Sequence, residues 1–152
     1  MPHLVVLYTP NLDRPVGEGG ADIGSLCRKL ADTMLAERDE QGRAVFPPGG
    51  VRVLAYPAAH CAVSDGGAAG RAAGGSGDYA FAYLNLRMGA GRSAAVHAAV
   101  GRALEACAKA HFGPLLATQH LGVTVQVDEG REVFDAKLSS LHPLFRNNND
   151  TD

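Results

Sequence analysis

Residues Tyr79 to Met88 read YAFAYLNLRM and run without pause into Gly89-Ala90-Gly91-Arg92-Ser93. The ten-residue run is the longest strand signal in the chain. Phe81, Tyr83, Asn85 and Arg87 alternate with Ala80, Ala82, Leu84 and Leu86, and both sets stay apolar as far as Asn85. A strand of that kind sits in the middle of a sheet, and this pattern predicts cover on both faces. The glycine turn reverses the chain, and Ser93 is placed to cap a helix that follows at once. Val96, Val100, Ala103, Leu104 and Cys107 mark its inner face, up to about His111, with Gly113-Pro114 as the expected stop. Leu121 to Val127 then alternates valine with threonine and glutamine, a further strand. One β-α-β unit is therefore legible in the second half.

The first half repeats the order. HLVVLY, His3 to Tyr8, is a strand signal. Asp22 can cap a helix in which Ile23, Leu26, Cys27, Leu30, Met34 and Leu35 share a face, with Gly42 as its stop. Val51 to Tyr56 follows the turn Phe46-Pro47-Pro48-Gly49-Gly50 as a second strand. The predicted fold is α+β: β-α-β-β-α-β, a four-stranded sheet with two helices on one face. The other face is bare, so an oligomer is expected. Between the halves, Asp65 to Gly77 (DGGAAGRAAGGSG) is low in complexity and offers no hydrophobic anchor. It reads as a flexible loop, an insertion or a lid. Residues 1–145 form one domain in this reading, and the polar residues 146–152 a disordered tail.

Composition narrows the function. The chain has 152 residues, 46% hydrophobic and 20% charged, with a formal net charge of -2. That is enough apolar material for a core, without the basic excess that attracts nucleic acid or a membrane surface. No apolar run is long enough to span a bilayer, and the start lacks the segments of a signal peptide. Three scattered cysteines, Cys27, Cys61 and Cys107, suit a reducing, cytoplasmic setting rather than a disulfide framework. No metal-ligand spacing is present, and the adjacent His60 and Cys61 would face opposite sides of an extended segment.

Three residues could carry chemistry. Pro2, once Met1 is removed, would present a secondary amine fixed at a strand end. An α-amino group titrates at about 7.7–8.0, and burial or a nearby cation lowers that value, leaving a free base at neutral pH. A Met-Pro start without any chemistry is the commoner occurrence. Arg92 ends a glycine turn at a helix N-terminus, a natural seat for a carboxylate, although a tight turn with a solvent-facing arginine would look the same. Arg52 lies within a short apolar strand, either pointing out at an edge or held there to meet an anion.

Taken together, these residues resemble the 5-carboxymethyl-2-hydroxymuconate Δ-isomerase family of the tautomerase superfamily. The opening MPHLVVLYTPNL, the segment FPPGGVR ending at Arg52, and above all DYAFAYLNLRMGAGRS from Asp78 to Ser93 are similar to that family's blocks in the same order. His111-Phe112 and HPLF, His142 to Phe145, fit as well. The resemblance implies a homotrimer, a catalytic amino-terminal proline at Pro2, substrate-binding arginines at Arg52 and Arg92, and no cofactor or metal. It implies a 2-hydroxydiene polycarboxylate substrate from homoprotocatechuate degradation. The glycine-rich 65–77 segment is longer than the family's connection there, and the first strand lacks its usual acidic or Cys residues, so substrate choice stays open. Another tautomerase reaction on a small keto or enol acid, or a non-catalytic trimer that binds an anion or a partner, are the alternatives.

Overall fold

The computed structural model describes residues 2–145. Four strands form one sheet in the order β2-β1-β3-β4: β1 (His3–Tyr8), β2 (Arg52–Pro57), β3 (Tyr79–Gly89) and β4 (His120–Gly130). β1 runs parallel to β2, β3 runs parallel to β4, and the two halves meet where β1 and β3 pair antiparallel. The helix α1 (Ile23–Ala36) makes the first crossover and α3 (Ala94–Leu116) the second. The α+β arrangement expected from the sequence is the one found.

Alternation along the strands decides which face is covered. Leu4, Val6 and Tyr8 of β1 and Ala82, Leu84, Leu86 and Met88 of β3 are buried, facing Leu26, Leu30 and Met34 of α1 and Val100, Leu104 and Phe112 of α3. Burying one such aliphatic side chain stabilises by about 1.5–3 kcal/mol, so this layer dominates the fold. β3 is central, but within one chain it is covered on one face only. Phe81 remains 37% exposed and Arg87 is exposed, because no helix or strand among the described residues crosses the far side of the sheet.

Three local expectations change. α1 ends at Ala36 rather than near Gly42. The Asp39 carboxylate accepts from the Gln41 and Arg43 amides, both at 2.9 Å, and draws residues 38–44 into a bridged turn. α3 continues past Gly113-Pro114 to Leu116. A proline costs most in a helix interior; here one turn remains, closed by the Ala117 amide on the Gly113 carbonyl at 3.2 Å. The Asp65–Gly77 segment contains a one-turn helix, α2 (Ala68–Ala72), where a loop without anchorage was expected. The Asp65 carboxylate accepts from the amides of Gly67, Ala68 and Ala69, and the Tyr79 hydroxyl accepts from the Gly70 amide at 2.8 Å. A polar anchor replaces the missing apolar one. The expectation for residues 146–152 lies outside the described residues.

Candidate active site

Pro2 immediately precedes β1 and is buried. It shares the parity of Leu4 and Val6, so its ring turns toward the helix layer. The neighbouring turn, Pro48–Gly50, lies close by: a Cβ added to Gly50 would reach contact distance, 3.7 Å, of Pro2 Cδ. His3 is level with Arg52 on β2 and with Arg87 on β3. One step further along the same register, Pro2 is level with Met88.

Arg52 opens β2, which is an edge strand, yet its side chain is half-buried. It folds back so that Nη1 donates to the Gly50 carbonyl at 2.9 Å. Arg52 therefore touches the same turn that lies on Pro2. Arg92 reaches this end of the sheet from the other side. β3 finishes at Gly89, and Gly91 adopts φ +98, a left-handed turn open to glycine at little cost. Ser93 then caps α3, its hydroxyl accepting from the Val96 amide at 3.2 Å. The Arg92 guanidinium donates to the Val45 carbonyl at 3.0 Å and to the Gly89 carbonyl at 3.3 Å, over the ring of Phe46. Two of its five N–H groups are thus used in fixing its position.

The three residues singled out from the sequence all lie at one end of the sheet, where β1 and β2 begin and β3 ends. A cleft of about 470 Å³ runs beside Arg92, lined also by Glu40, Arg43, Val45 and Ser93. Neither Pro2 nor Arg52 lines it. A larger groove of about 1010 Å³ follows α3 and the valines of β4 and includes none of the three. Size alone would point to that groove; the chemistry does not, since its lining is mainly the apolar flank of a helix and an edge strand.

Burial and positive charge act together at the chain start. Burial is the first cause that holds the His3 imidazole below its ordinary value; the positive charge of the amino terminus and then that of Arg52 add to it, against a smaller opposing effect of Asp135. An extra proton is disfavoured there. Among the described residues, no group of three or more His, Cys, Asp or Glu side chains could hold a metal ion. No helix among them is long and apolar enough to cross a membrane.

Known proteins match this chain over nearly all of its described length. The family model described as "CHMI: 5-carboxymethyl-2-hydroxymuconate isomerase" matches residues 2–145. The chain belongs to the 5-carboxymethyl-2-hydroxymuconate isomerase family. A crystal structure described as a 5-carboxymethyl-2-hydroxymuconate delta-isomerase is 57% identical, with a TM-score of 0.89 over 96% of this chain and 93% of that one. A 5-carboxymethyl-2-hydroxymuconate isomerase from Deinococcus radiodurans R1 is 31% identical, with a TM-score of 0.74 over 95% and 94%. The 5-carboxymethyl-2-hydroxymuconate Delta-isomerase of Escherichia coli is 26% identical over 96% of this chain and all of its own length.

For a member of this isomerase family, the site contains residues that the sequence reading left out. Val45 and Phe46 form the seat of Arg92, and Phe46 is fully buried. Glu132, beyond the end of β4, lies beside Gly89 on the same side as Arg92: a Cβ on Gly89 would meet its carboxylate oxygens at 3.6 Å and Arg92 Nη1 at 3.9 Å. No periodicity marks such contacts, because they join loops far apart in sequence. Only the block F-P-P-G-G-V-R carried a hint of them.

Proposed function

We propose that this protein converts 5-carboxymethyl-2-hydroxymuconate to its unsaturated 2-keto isomer, with Pro2 as the proton carrier once Met1 has been removed. The observation that carries the reading is the buried Pro2 set against the turn that receives Arg52, at the same end of the sheet as Arg92. Pro2 is buried, and burial disfavours the charged form of an amine. The amine is then neutral at pH 7 and serves as a base.

The reaction needs one proton moved and no electrons exchanged. The Pro2 nitrogen takes the proton from the substrate's 2-hydroxyl. The electron pair passes through the conjugated diene, the C2–O bond becomes a carbonyl, and carbon C5 accepts the proton from the prolinium. The diene relays the charge itself, so no cofactor is required. Arg52 and Arg92 hold carboxylates, and a planar guanidinium suits that task because it binds with two parallel bonds. Holding the substrate keeps C5 within reach of the amine.

Three copies are proposed to assemble through the bare face of the sheet. Leu7, Leu54, Tyr56 and Phe81 leave an apolar patch there, all between 37% and 49% exposed. Such a patch is costly to leave in water. The setting proposed is the cytoplasm, which suits three free cysteines, and the pathway is homoprotocatechuate degradation. Turnover of the dienol followed by ultraviolet absorbance, beside a panel of small keto and enol acids, tests the substrate. Preference for a panel acid would replace the substrate but keep the base. Light scattering of the purified protein tests the trimer, and a monomer would contradict it.

A further inference from the structure

The segment that follows β4 is unused by the mechanism, yet it returns to the site. It leaves the sheet at Gly130, and Asp135 comes near enough to His3 for each to bias the other's titration. It ends in a one-turn 3-10 helix, His142–Phe145, which is the HPLF motif. That turn rests on Gly49. A Cβ added to Gly49 would stand 3.1 Å from His142 Cα, 3.3 Å from the His142 ring and 3.3 Å from the Phe145 ring. Gly49 is buried although His142 is only half-buried and Phe145 remains exposed, so the turn acts as a cover. Directly behind Gly49 is Gly50, whose carbonyl receives Arg52 and whose α-carbon faces the Pro2 ring.

We propose that His142–Phe145 is a positioning clamp, which holds the Pro48–Gly50 turn against Pro2 and so fixes both the ring of Pro2 and the guanidinium of Arg52. The inference deepens the functional reading above and rests on its assignment of Pro2 and Arg52. The physical ground is a layered arrangement, tight on its outer side: the Phe145 ring and the His142 backbone on one side, two glycines in the middle, and Pro2 on the other, at contact distance from a Cβ placed on Gly50. The glycines themselves cannot hold this shape. Each loses more backbone freedom on ordering than any other residue, and the local ties of the turn are few: the Gly50 amide on the Pro47 carbonyl at 2.8 Å, the Val51 amide on the Pro48 carbonyl at 3.3 Å, and the Arg52 guanidinium on the Gly50 carbonyl at 2.9 Å. The clamp adds a constraint from outside the turn. Phe145 touches neither amine nor substrate in this account; it works through Gly49.

Two substitutions test it from opposite sides. Phe145→Ala removes the ring, and Gly49→Ala sets a methyl group 3.1 Å from the His142 Cα, which must give way by a few tenths of an ångström. Phe145→Leu restores an apolar side chain and serves as the rescue. Because Phe145 is a half-exposed residue near the chain end, its removal should leave the thermal midpoint close to that of the unaltered protein, and this is checked first. Hydrogen exchange at the Gly50 and Val51 amides reads the clamp directly. Steady-state kinetics on the dienol across pH reads its consequence. Both disruptive variants should exchange faster at these amides and raise KM about tenfold, since small displacements of a positioning group are amplified in rate. The acidic limb of kcat/KM should move to higher pH, as a less buried amine returns toward the ~7.7–8.0 of an open terminus. Phe145→Leu should recover most of each effect. Unchanged amide exchange overturns the clamp whatever the turnover. Faster exchange with unaltered KM and pH profile reduces the contact to packing and also overturns the positioning role. Absence of turnover by the unaltered protein defeats the assigned reaction and the positioning role with it, while the exchange measurement still reports the contact by itself.

Discussion

The guanidinium of Arg92 lies over the ring of Phe46, 5.7 Å from its centroid, while donating to the carbonyl of Val45 just before that ring. One side chain thus ties the turn after β3 to the turn before β2. The substrate-facing role proposed for Arg92 depends on this seat, because an arginine fixed by backbone carbonyls presents its remaining N–H groups in one orientation.

Arg92→Ala is expected to act in two measurements at once. It removes hydrogen bonds at 3.0 and 3.3 Å and the contact with the ring, so stability in urea should fall by about 1–2 kcal/mol. KM for the dienol should rise, with a smaller change in kcat, if the residue only holds a carboxylate. Equal losses in kcat and kcat/KM would instead give it a role in the transition state. Arg92→Lys keeps the charge but loses the fork, and should recover little.

Phe46→Ala should be far more damaging to the fold. Phe46 is fully buried in the core layer, and emptying such a site costs about 3–5 kcal/mol. Chemical denaturation measures it directly. A loss below about 1 kcal/mol would mean that the surrounding loop collapses into the space, against the tight seat described here.

The far end of the sheet supplies a control. Tyr79→Phe deletes the hydroxyl that accepts from the Gly70 amide, and should cost about 0.5–1.5 kcal/mol while leaving kcat and KM unaltered. Faster exchange of the Gly70 amide is the direct check. A change in turnover would couple α2 to the chemistry and would contradict its placement away from Pro2.

Acid should weaken one specific tie. The hydrogen bond from Arg14, then that from Asn11, holds the Asp78 carboxyl below the usual aspartate value of 3.8. A carboxyl with a depressed folded-state pKa stabilises when ionised. Its contribution is complete above that ordinary value and is lost as pH falls through the lower folded one. Both side chains are nearly half exposed, so the pair is worth about 0–1 kcal/mol. The stability gap between the unaltered protein and Asp78→Asn should therefore close as pH falls below 3.8, as measured by urea unfolding from pH 6 downward.

Much of this architecture was legible because burial leaves a period in the sequence. His3–Tyr8 alternates against one covered face and emerges as β1 with the bounds expected. Leu26, Leu30 and Met34 recur at helical spacing and are buried. What escaped the sequence is what lacks a period. The early end of α1 is set by the Asp39 carboxylate folding the chain on itself, and the helical turn in 65–77 by Asp65 and Tyr79 bonding to amides. Pro114 looked like a stop but occupies the last turn, where helix ends are decided by few bonds. The site divides in the same way. Pro2, Arg52 and Arg92 stood out as residue types beside turns, whereas Val45, Phe46, Glu132 and the His142–Phe145 turn join them only through three-dimensional contact.

The account rests on a neutral amine at Pro2, and one comparison addresses it most directly. Protein with Met1 removed, verified by intact mass, is assayed on 5-carboxymethyl-2-hydroxymuconate beside the same chain bearing an acetyl group on the proline nitrogen. Acylation leaves the ring and both arginines in place but abolishes the basic lone pair. The account predicts that kcat/KM falls by a factor on the order of 10²–10⁴ on acetylation. Equal turnover by the two proteins would contradict it.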